Sequence, residues 1–476
     1  MAQRRTGTTS LIKLLGHWHQ PLPRTPVYRQ LADGLRLLIL DGRLPLECRL
    51  PGERELAAAL GVSRTTVATA LALLRDEGYL ASRQGSGSVT MLPESGNSVS
   101  PLPGMAPILD LSVAALPAGP EIHHAYSNAL IALPEHMGSS GYDQQGLVEL
   151  REVIARGYAA RGLPTSADQI MLVNGAVSGF GLILRLLTGP GDRVVIDHPT
   201  YPMALEAIKG ASCRPVSVSL PDRGWDTDGL AATIAQTSPR LAYLIPDFHN
   251  PTGRCMDTAT RAAVAEIAAR TRTTIVVDET MVDLWFDAPP PPPLAAFDSS
   301  DNVITLGSAG KSFWGGLRLG WIRASARTIA SLAQVRNSLD LGTPVLEQLA
   351  AIHLFNEAES FLPQRREMLR RNQQSCSEAI SDLFPDWRIL NAPQGGLSLW
   401  IELSRPLATL FAASSESIGI RIGAGPRFGT EGAFERFLRM PYTLEPTLMR
   451  NALERLQPGW QYLLRERANS SRGMLV

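Results

Sequence analysis

The spacing of apolar and polar residues predicts a small helical unit at the start of the chain. Residues 27–41 predict a first helix, and the apolar positions on its one face are Leu31, Leu35, Leu38 and Ile39. Residues 53–60 predict a second helix that Gly61 ends as a C-cap, and Ser63 caps a third that runs to Gly78. Two helices joined by a short glycine-containing turn indicate a helix-turn-helix.

The residues that follow alternate like a hairpin, with its turn at residues 84–87, and this predicts a wing. The third helix begins with Arg64, Thr65 and Thr66, and such a helix presents its N-terminal residues to base edges. Arginine can bind a guanine edge through two donors, and threonine hydroxyls reach phosphates or bases. Arg54 is placed to reach the DNA backbone. The pattern also fits a small helical domain with solvated arginines.

The rest of the chain alternates strands rich in Val and Ile with helical stretches. The predicted strands lie within QIMLVNG, DRVVIDHP, LAYLIPDF, TTIVVDE and NVITLGSA. This alternation is typical of a largely parallel sheet with crossover helices. Ligands of such sheets bind at the carboxyl ends of the strands.

Polar or small residues follow each of these apolar strands. Taken singly each has an ordinary explanation, such as a turn, a helix cap or a packing residue. Together they supply a phosphate-binding turn, an aromatic plane, an amide, a carboxylate and a lysine. Pyridoxal 5′-phosphate needs such a set, above all a Schiff-base lysine and an acidic partner for its pyridine nitrogen. The residues are Asn174, Gly175, Ala176, Tyr201, Asn250, Asp278, Ser308, Lys311 and Arg318.

The scarcity of lysine narrows the choice of Schiff-base residue. The chain has three lysines, Lys13, Lys209 and Lys311. Only Lys311 follows a strand of the second part, whereas Lys209 lies toward the end of a predicted helix, where a basic residue suits the helix dipole.

Composition excludes two broad classes of protein. The chain has 476 residues, of which 44% are hydrophobic and 19% charged, so wholesale disorder is excluded. The formal net charge of zero excludes a uniformly basic protein that coats nucleic acid. The charge is unevenly placed, because residues 1–90 hold 12 Arg and Lys against 7 Asp and Glu.

A segment rich in proline divides the chain. Residues 91–107 contain four prolines with Gly and Ser between them, which predicts a linker. The predicted domains are therefore 1–90, the linker 91–107, and 108–476. A second proline run, at residues 289–293, is too short to part domains and predicts a surface loop.

Cysteine spacing and hydropathy predict a cytoplasmic protein. The four cysteines form no CxxC pair, so neither a metal site nor a disulfide framework is expected, which fits a reducing compartment; they are Cys48, Cys213, Cys255 and Cys376. No apolar run approaches the roughly 20 residues that span a bilayer, and the N-terminus lacks a secretory signal pattern.

The first part resembles the winged helix-turn-helix of the GntR family. The resemblance is carried by LPGERELAAALGVSRTTVATALALLRDEGYLASRQGSGSVT and covers about residues 26–91. It implies binding to double-stranded operator DNA. Some family members have an arginine where this chain has Ala68. The implied contact residues are Arg54, Ser63, Arg64, Thr65, Thr66, Gln84 and Gly85.

The second part, from about residue 108 to 465, resembles the class I aminotransferases, of fold type I. The motifs are GYDQQGLVELR, NPTG, GSAGKSFWGGLRLGW and FLRMPYT. The resemblance implies that Lys311 forms the Schiff base, that Asp278 pairs with the pyridine nitrogen, and that Tyr201 stacks on the ring. It implies that Asn250 binds the 3′ oxygen. The implied phosphate residues are Gly175, Ala176, Ser308 and Arg318, with Tyr142 reaching the phosphate across a dimer interface and Arg439 binding a substrate carboxylate.

Three positions depart from the aminotransferase pattern. Gly310 stands where many members have Ser or Thr, and Asn174 stands where Ser or Thr is often found. Thr280 and Met281 occupy places where many members have a tyrosine that helps to bind the 3′ oxygen. Cofactor binding is expected to survive these changes, and efficient transamination is less assured because proton transfer depends on positioning.

The two parts together resemble the MocR subfamily of transcription regulators. This implies a homodimer, head-to-tail, with each DNA-binding domain packed against the partner's body. The large domain then senses pyridoxal 5′-phosphate, an amino compound, or both. The alternative is an active aminotransferase with an appended DNA-binding domain. A structural protein that keeps both folds would not explain why the lysine and its partners are retained together.

Overall fold

A computed structural model describes residues 5–16, 18–19, 26–40, 42–83, 87–91 and 108–472. For residue 83 and residues 466–472 only the backbone is described. Residues 84–86 of the predicted wing turn, which include Gln84 and Gly85, and residues 92–107 of the predicted linker lie outside this part.

The N-terminal part, here called the reader, is a set of four helices followed by a hairpin. Its apolar residues form a core of their own, which includes the predicted face of α2 and the inner face of α4. The predicted elements are confirmed, and α1 is an additional helix. The elements are α1 Thr8–Leu15, α2 Val27–Leu40, α3 Glu53–Leu60, α4 Arg64–Asp76, β1 Leu80–Arg83 and β2 Gly87–Thr90.

The remainder, here called the body, is built on a seven-stranded sheet. Strands β5, β7, β8 and β9 pair in parallel, as predicted, and β6, which was not predicted, pairs in parallel with β5. Strand β10 lies antiparallel to both β4 and β9. The order across the sheet is β4-β10-β9-β8-β7-β5-β6. The strands are β4 Ile170–Val173, β5 Arg193–His198, β6 Arg214–Ser219, β7 Leu241–Leu244, β8 Thr274–Asp278, β9 Val303–Ser308 and β10 Gly320–Arg323.

Helices cover both faces of this sheet, and two buried apolar clusters fill the space between. The helices in this part of the body are α5 Pro120–Ala132, α6 Val148–Ala160, α7 Ala176–Leu187, α8 Pro202–Gly210, α9 Thr227–Thr237, α10 Thr258–Thr271, α11 Ala309–Ser312, α12 Ala326–Arg336 and α13 Val345–Asn356. Short 3₁₀ turns span Leu133–Glu135, Ala167–Gln169, Leu294–Phe297, Gly315–Leu317 and Gly425–Phe428.

A second sheet of five strands, with the order β11-β12-β14-β13-β3, was not predicted from the sequence. It has its own apolar core against three helices. Its first strand, β3, comes from the beginning of the body and pairs in parallel with β13. The elements are β3 Leu109–Leu111, α14 Ala358–Leu383, β11 Arg388–Ile389, β12 Ser398–Glu402, α15 Ala408–Glu416, β13 Ile420–Ala424, β14 Phe437–Pro441 and α16 Pro446–Arg472.

The reader packs on the body through α2, which lies against α15. Leu37 of α2 is 7% exposed and belongs to the apolar core of the smaller sheet rather than to that of the reader. Lys13 of α1 forms a 2.8 Å ion pair with Glu431 of the body. The reader is therefore in direct contact with the part of the body that carries the smaller sheet.

Within the described residues, no group of three or more His, Cys, Asp or Glu side chains could hold a metal ion. The four cysteines are free thiols. No single helix in the same ranges is long and apolar enough to cross a membrane, although the bent pair α3 and α4 passes that test on length and composition.

Candidate cofactor site and nucleic-acid interface

The structure brings the predicted cofactor residues together around one cavity of about 150 Å³ at the carboxyl edge of the large sheet. Its lining includes Ala115, Thr280 and Met281 in addition to the predicted residues. The predicted residues in the lining are Gly175, Ala176, Tyr201, Asn250, Asp278, Ser308, Lys311 and Arg318.

One end of the cavity is formed by the start of α7 and by Arg318. Gly175 has φ +93°, and a Cβ atom there would lie 2.9 Å from Nη2 of Arg318. That Nη2 atom donates to the carbonyl oxygen of Asn174 at 3.2 Å. The free amides at the N-terminus of the helix and the guanidinium together form a site for a phosphate group. Only glycine allows the backbone to come this close to the arginine.

Asp278 ends β8 and is buried beneath the cavity. Its Oδ2 atom accepts a 2.5 Å hydrogen bond from the hydroxyl of Tyr243, and its Oδ1 atom accepts one from the amide of Thr280 at 3.0 Å. Burial raises the pKa of Asp278, and these two hydrogen bonds act in the opposite direction. Tyr243 was not predicted, because nothing in the strand LAYL shows which neighbour its hydroxyl meets.

Lys311 lies in α11 with most of its side chain buried. Its Nζ atom donates to the carbonyl oxygen of Ala114 at 2.7 Å. Burial, and to a lesser extent the charge of Arg439, lowers the pKa of Lys311 to about 8, against a smaller opposing effect of Asp278. A lysine with such a pKa has roughly a tenth of its amine neutral at pH 7, and the neutral amine is the form that attacks an aldehyde.

Arg439, on β14, is 5% exposed. Burial, followed by the charge of Arg427, lowers its pKa to about 10. Its Nη2 atom donates to the carbonyl oxygen of Ser112, and its guanidinium lies 5.2 Å from the centre of the Phe428 ring. Arg439 does not line the cavity itself, but its charge acts on Lys311.

The segment of Ser112 and Ala114, at the start of the body, therefore contacts both cations of the site through its carbonyl oxygens. We call it the capping segment. Sequence reasoning missed it because main-chain carbonyls leave no signal in residue type.

The side chains of Asn250, Asn174 and Ser308 differ in their hydrogen-bond partners. The Oδ1 atom of Asn250 is buried with no hydrogen-bond partner among the described residues, so it is available to a ligand in the cavity. The amide of Asn174 instead donates to Asp340 at 3.2 Å, away from the cavity. The hydroxyl of Ser308 accepts from the amide of Gly310 at 3.0 Å and so caps α11.

The donor set fits pyridoxal 5′-phosphate. It offers a cup for a phosphate, a buried carboxylate and a lysine of lowered pKa around one cavity. These are the groups that the cofactor requires.

Tyr142 lies outside the cavity and is 72% exposed. It precedes α6 in the chain, and other apolar side chains from the same stretch are also exposed, namely Leu130, Ile131, Met137 and Val148.

The reader has the geometry of a helix-turn-helix, with a bend of 119° between α3 and α4. Gly61, at the end of α3, is in the left-handed conformation with φ 67°. The hydroxyl of Ser63 accepts from the amide of Thr66 at 3.0 Å, as predicted for an N-cap, and lies 2.8 Å from the hydroxyl of Thr66. The Thr66 hydroxyl is thus already engaged within the cap.

The predicted DNA contacts at the start of α3 and α4 lie on the surface. Arg54, Arg64 and Thr65 are exposed. The side chain of Arg64 is 72% exposed, and its nearest acidic group, on Glu53, is 3.8 Å away. A pair that is this exposed and this long holds the arginine weakly. Arg64 is therefore free to exchange Glu53 for a nucleic acid.

Comparison with known families gives two matches along the chain. Residues 110–456, well over half of the chain, match the family described as aminotransferase class I and II. The chain belongs to this family. Residues 27–89 match the family described as bacterial regulatory proteins, gntR family.

Individual relatives of this aminotransferase-family chain include regulators that are similar along most of their length. The HTH-type transcriptional regulator YdfD of Bacillus subtilis is 26% identical, with 92% of this chain and 95% of that protein covered. The probable rhizopine catabolism regulatory protein MocR of Rhizobium meliloti is 28% identical, with 80% and 83% covered. The order of the two family matches is that of the MocR subfamily.

Among solved structures, the body is similar to LysN, an α-aminoadipate aminotransferase from Thermus thermophilus complexed with N-(5′-phosphopyridoxyl)-L-leucine. The TM-score is 0.69 at 26% identity, with 75% of this chain and 93% of LysN covered. Aminotransferases of this class depend on pyridoxal 5′-phosphate, and the cavity residues described above fit that cofactor.

Proposed function

We propose that the chain is a transcription regulator that binds DNA through the reader and pyridoxal 5′-phosphate through the body, which senses the cofactor, an amino compound, or both. The observation that carries this proposal is the presence in one chain of an exposed, capped recognition helix and a complete set of cofactor groups. The parts are residues 1–90 for DNA, 91–107 as a linker and 108–476 as the sensor. A cytoplasmic location follows from this role.

In the reader, the proposed base contacts come from Arg64 and Thr65, whose side chains are exposed at the start of α4. Ser63 and Thr66 orient that helix end through the cap and are proposed to meet the DNA backbone. Arg54 is proposed to contact phosphate. Gln84 and Gly85 remain the proposed wing contacts.

In the body, the proposed role of Lys311 is to bind the cofactor aldehyde through its neutral amine. Asp278 holds a proton at the pyridine nitrogen, while Ala176, the neighbouring Gly175 and Arg318 bind the phosphate. When bound, pyridoxal 5′-phosphate supplies an electron sink that makes amino compounds reactive. Tyr201, Asn250 and Ser308, which also line the cavity, take the stacking, 3′-oxygen and phosphate roles.

Arg439 is the proposed site for the carboxylate of an amino acid effector. A carboxylate there competes with the carbonyl oxygen of Ser112, and the cofactor at Lys311 competes with that of Ala114. A ligand shifts the reader only if it binds the two arrangements of the protein unequally. The two arrangements proposed here are the capping segment with its carbonyls engaged, as in this structure, and with them released.

The proposed assembly is a head-to-tail homodimer. Tyr142 and its exposed apolar neighbours are proposed to meet a second copy of the chain, with Tyr142 reaching the partner's phosphate site. Each reader is proposed to rest on the partner's body. The proposed contact uses the surfaces of α2 and α15, which in the single chain of this structure pack against each other. Sedimentation at several concentrations tests the dimer, and a monomer at micromolar concentration contradicts it.

A second candidate function is a working aminotransferase with an appended reader. The lowered pKa of Lys311 and the buried Arg439 favour it, because both groups serve turnover as well as sensing. Turnover of common amino acid and keto acid pairs separates the two. Rapid catalysis that is independent of DNA supports the enzyme, and a single slow half-reaction supports the regulator.

The main test is binding of the full chain to the DNA upstream of its own gene, titrated with pyridoxal 5′-phosphate and then with amines and amino acids. The proposal expects saturable binding whose affinity changes with at least one of these ligands. Binding that is absent at low salt, or that no ligand alters, contradicts it.

A further inference from the structure

Tyr243 lies on β7 beside β8, the strand that ends in Asp278. It is 1% exposed, and its ring packs 4.7 Å from that of Phe180, measured between ring centres. Its hydroxyl lies 2.5 Å from Oδ2 of Asp278. The ring is thus fixed by packing and the hydroxyl is held against one atom of the carboxylate.

The direction of this hydrogen bond is set by chemistry. An ionised carboxylate can only accept, so Tyr243 donates. Burial, together with the nearby charge of Asp278, raises the pKa of Tyr243 well above its usual range, so the phenol keeps its proton. The bond is of the short, charge-assisted kind.

The ionised form of Asp278 depends on few groups. Within the described ranges it has no ion pair, and it accepts from the hydroxyl of Tyr243 and from the amide and the side chain of Thr280. The charge of Lys311 has a smaller influence. Tyr243 therefore supplies the largest of the hydrogen-bond contributions that keep this buried carboxylate charged.

We propose that Tyr243 is a positioning residue that keeps Asp278 ionised and so holds the proton on the pyridine nitrogen of bound pyridoxal 5′-phosphate. This rests on the proposed cofactor function. A proton shared between a carboxylate and a pyridine nitrogen moves toward the more basic group. Loss of the Tyr243 donor makes the carboxylate more basic, and the proton then moves to Asp278.

The test compares Tyr243→Phe with Tyr158→Phe. Tyr158 is also a buried tyrosine, but its hydroxyl accepts from Nε1 of Trp321 at 3.1 Å and does not contact Asp278. The first readout is the ¹⁵N chemical shift of cofactor labelled at the pyridine nitrogen. Tyr243→Phe should move it toward the unprotonated value, and Tyr158→Phe should leave it unchanged.

The second readout is affinity. Tyr243→Phe should weaken the binding of pyridoxal 5′-phosphate about tenfold, the effect of one charge-assisted hydrogen bond. With the 1-deaza analogue, which has carbon in place of the pyridine nitrogen, that loss should disappear. A loss of equal size with both compounds would mean that Tyr243 has only a structural role.

A third variant guards against misfolding of Tyr243→Phe. Replacing Tyr243 by 3-fluorotyrosine keeps the shape and strengthens the donor, so the ¹⁵N shift should move further toward the protonated value. A Tyr243→Phe chain that binds the cofactor with an unchanged ¹⁵N shift overturns the proposal. If the parent chain itself does not bind the cofactor, the proposed function fails instead, and the two failures are distinct.

Discussion

Lys311 donates a 2.7 Å hydrogen bond from Nζ to the carbonyl oxygen of Ala114, at the very start of the body. Two residues earlier, the carbonyl oxygen of Ser112 accepts from Arg439. Lys311, the proposed cofactor lysine, and Arg439, the proposed carboxylate-binding residue, thus both donate to one short segment. A ligand that takes over either of these two donor atoms has to replace a main-chain carbonyl.

Replacing Lys311 by alanine is expected to abolish the visible absorption band that pyridoxal 5′-phosphate gives with a protein lysine. The control is Lys209→Ala, which removes an exposed lysine that is paired with Glu206 on α8. Absorption spectra after removal of free cofactor measure both. A band that persists in Lys311→Ala would show that the site is wrongly assigned.

The same lysine predicts a pH dependence. Because its pKa is lowered to about 8, the neutral amine dominates above pH 8 and falls about tenfold for each pH unit below it. The rate at which the chain captures the cofactor should follow this curve, as measured by stopped-flow absorption. A rate that still rises steeply between pH 9 and 10 would indicate an unperturbed lysine.

Gly175→Ala should weaken cofactor binding by at least tenfold. The residue has φ +93°, which costs a residue with a side chain roughly 1–2 kcal/mol, and its new methyl group would press on Arg318. Gly181→Ala, on the same helix, is the matched control because nothing lies within 4 Å of a Cβ there. Equal dissociation constants for the two variants would contradict the phosphate assignment.

Arg64→Ala should weaken operator binding by about 1–3 kcal/mol while leaving the cofactor spectrum unchanged, because the arginine is exposed at the start of α4. Arg270→Ala, which removes a surface arginine of the body paired with Glu266, serves as control. Fluorescence anisotropy with labelled operator measures both. If Arg64→Ala binds as the parent does, α4 is not the recognition helix.

Glu435 predicts how stability varies with pH. It is half-buried and accepts from the amide and the hydroxyl of Thr409 at the start of α15, at 2.8 and 2.7 Å. Burial raises its pKa to about 7 against an ordinary 4.5, and the two hydrogen bonds oppose this. The folded chain therefore binds this proton more tightly than the unfolded chain, so the contribution to stability is full below pH 4.5 and is lost as pH rises through 7.

Glu435→Gln should remove this slope, and at pH 7.5 it should stabilise the chain by something on the order of 1 kcal/mol. Urea unfolding between pH 5 and 8 measures the effect, and Glu266→Gln on the surface is the control. A slope that is the same in the parent and in Glu435→Gln would refute the assignment.

Sequence reasoning reached those site residues whose place follows from topology. Asp278 and Ser308 end strands, and Lys311 follows one, so a parallel sheet necessarily brings them to one edge. The antiparallel β10 and the small sheet were missed because their pairing is non-local. Residues inside strands, such as Tyr243, need the register between neighbours before their contacts can be known.

The contact between reader and body lay beyond sequence reasoning for a related reason. Leu37 is not among the residues of the predicted apolar face of α2, and it packs into the body. Periodicity tells which face of a helix is apolar but not which neighbour covers it. The three-residue β3 was likewise too short to predict, although it places the capping segment.

The scarcity of lysine has a practical consequence for labelling. Amine-reactive dyes have few targets in this chain besides the α-amino group, since Lys311 is buried. Lys209 lies on a body helix, whereas Lys13 sits at the seam between reader and body, where it pairs with Glu431 and keeps 58% of its side chain exposed. A Lys209→Arg chain labelled with a solvent-sensitive dye would carry a reporter at that seam, which would turn the docking of the reader into an optical signal.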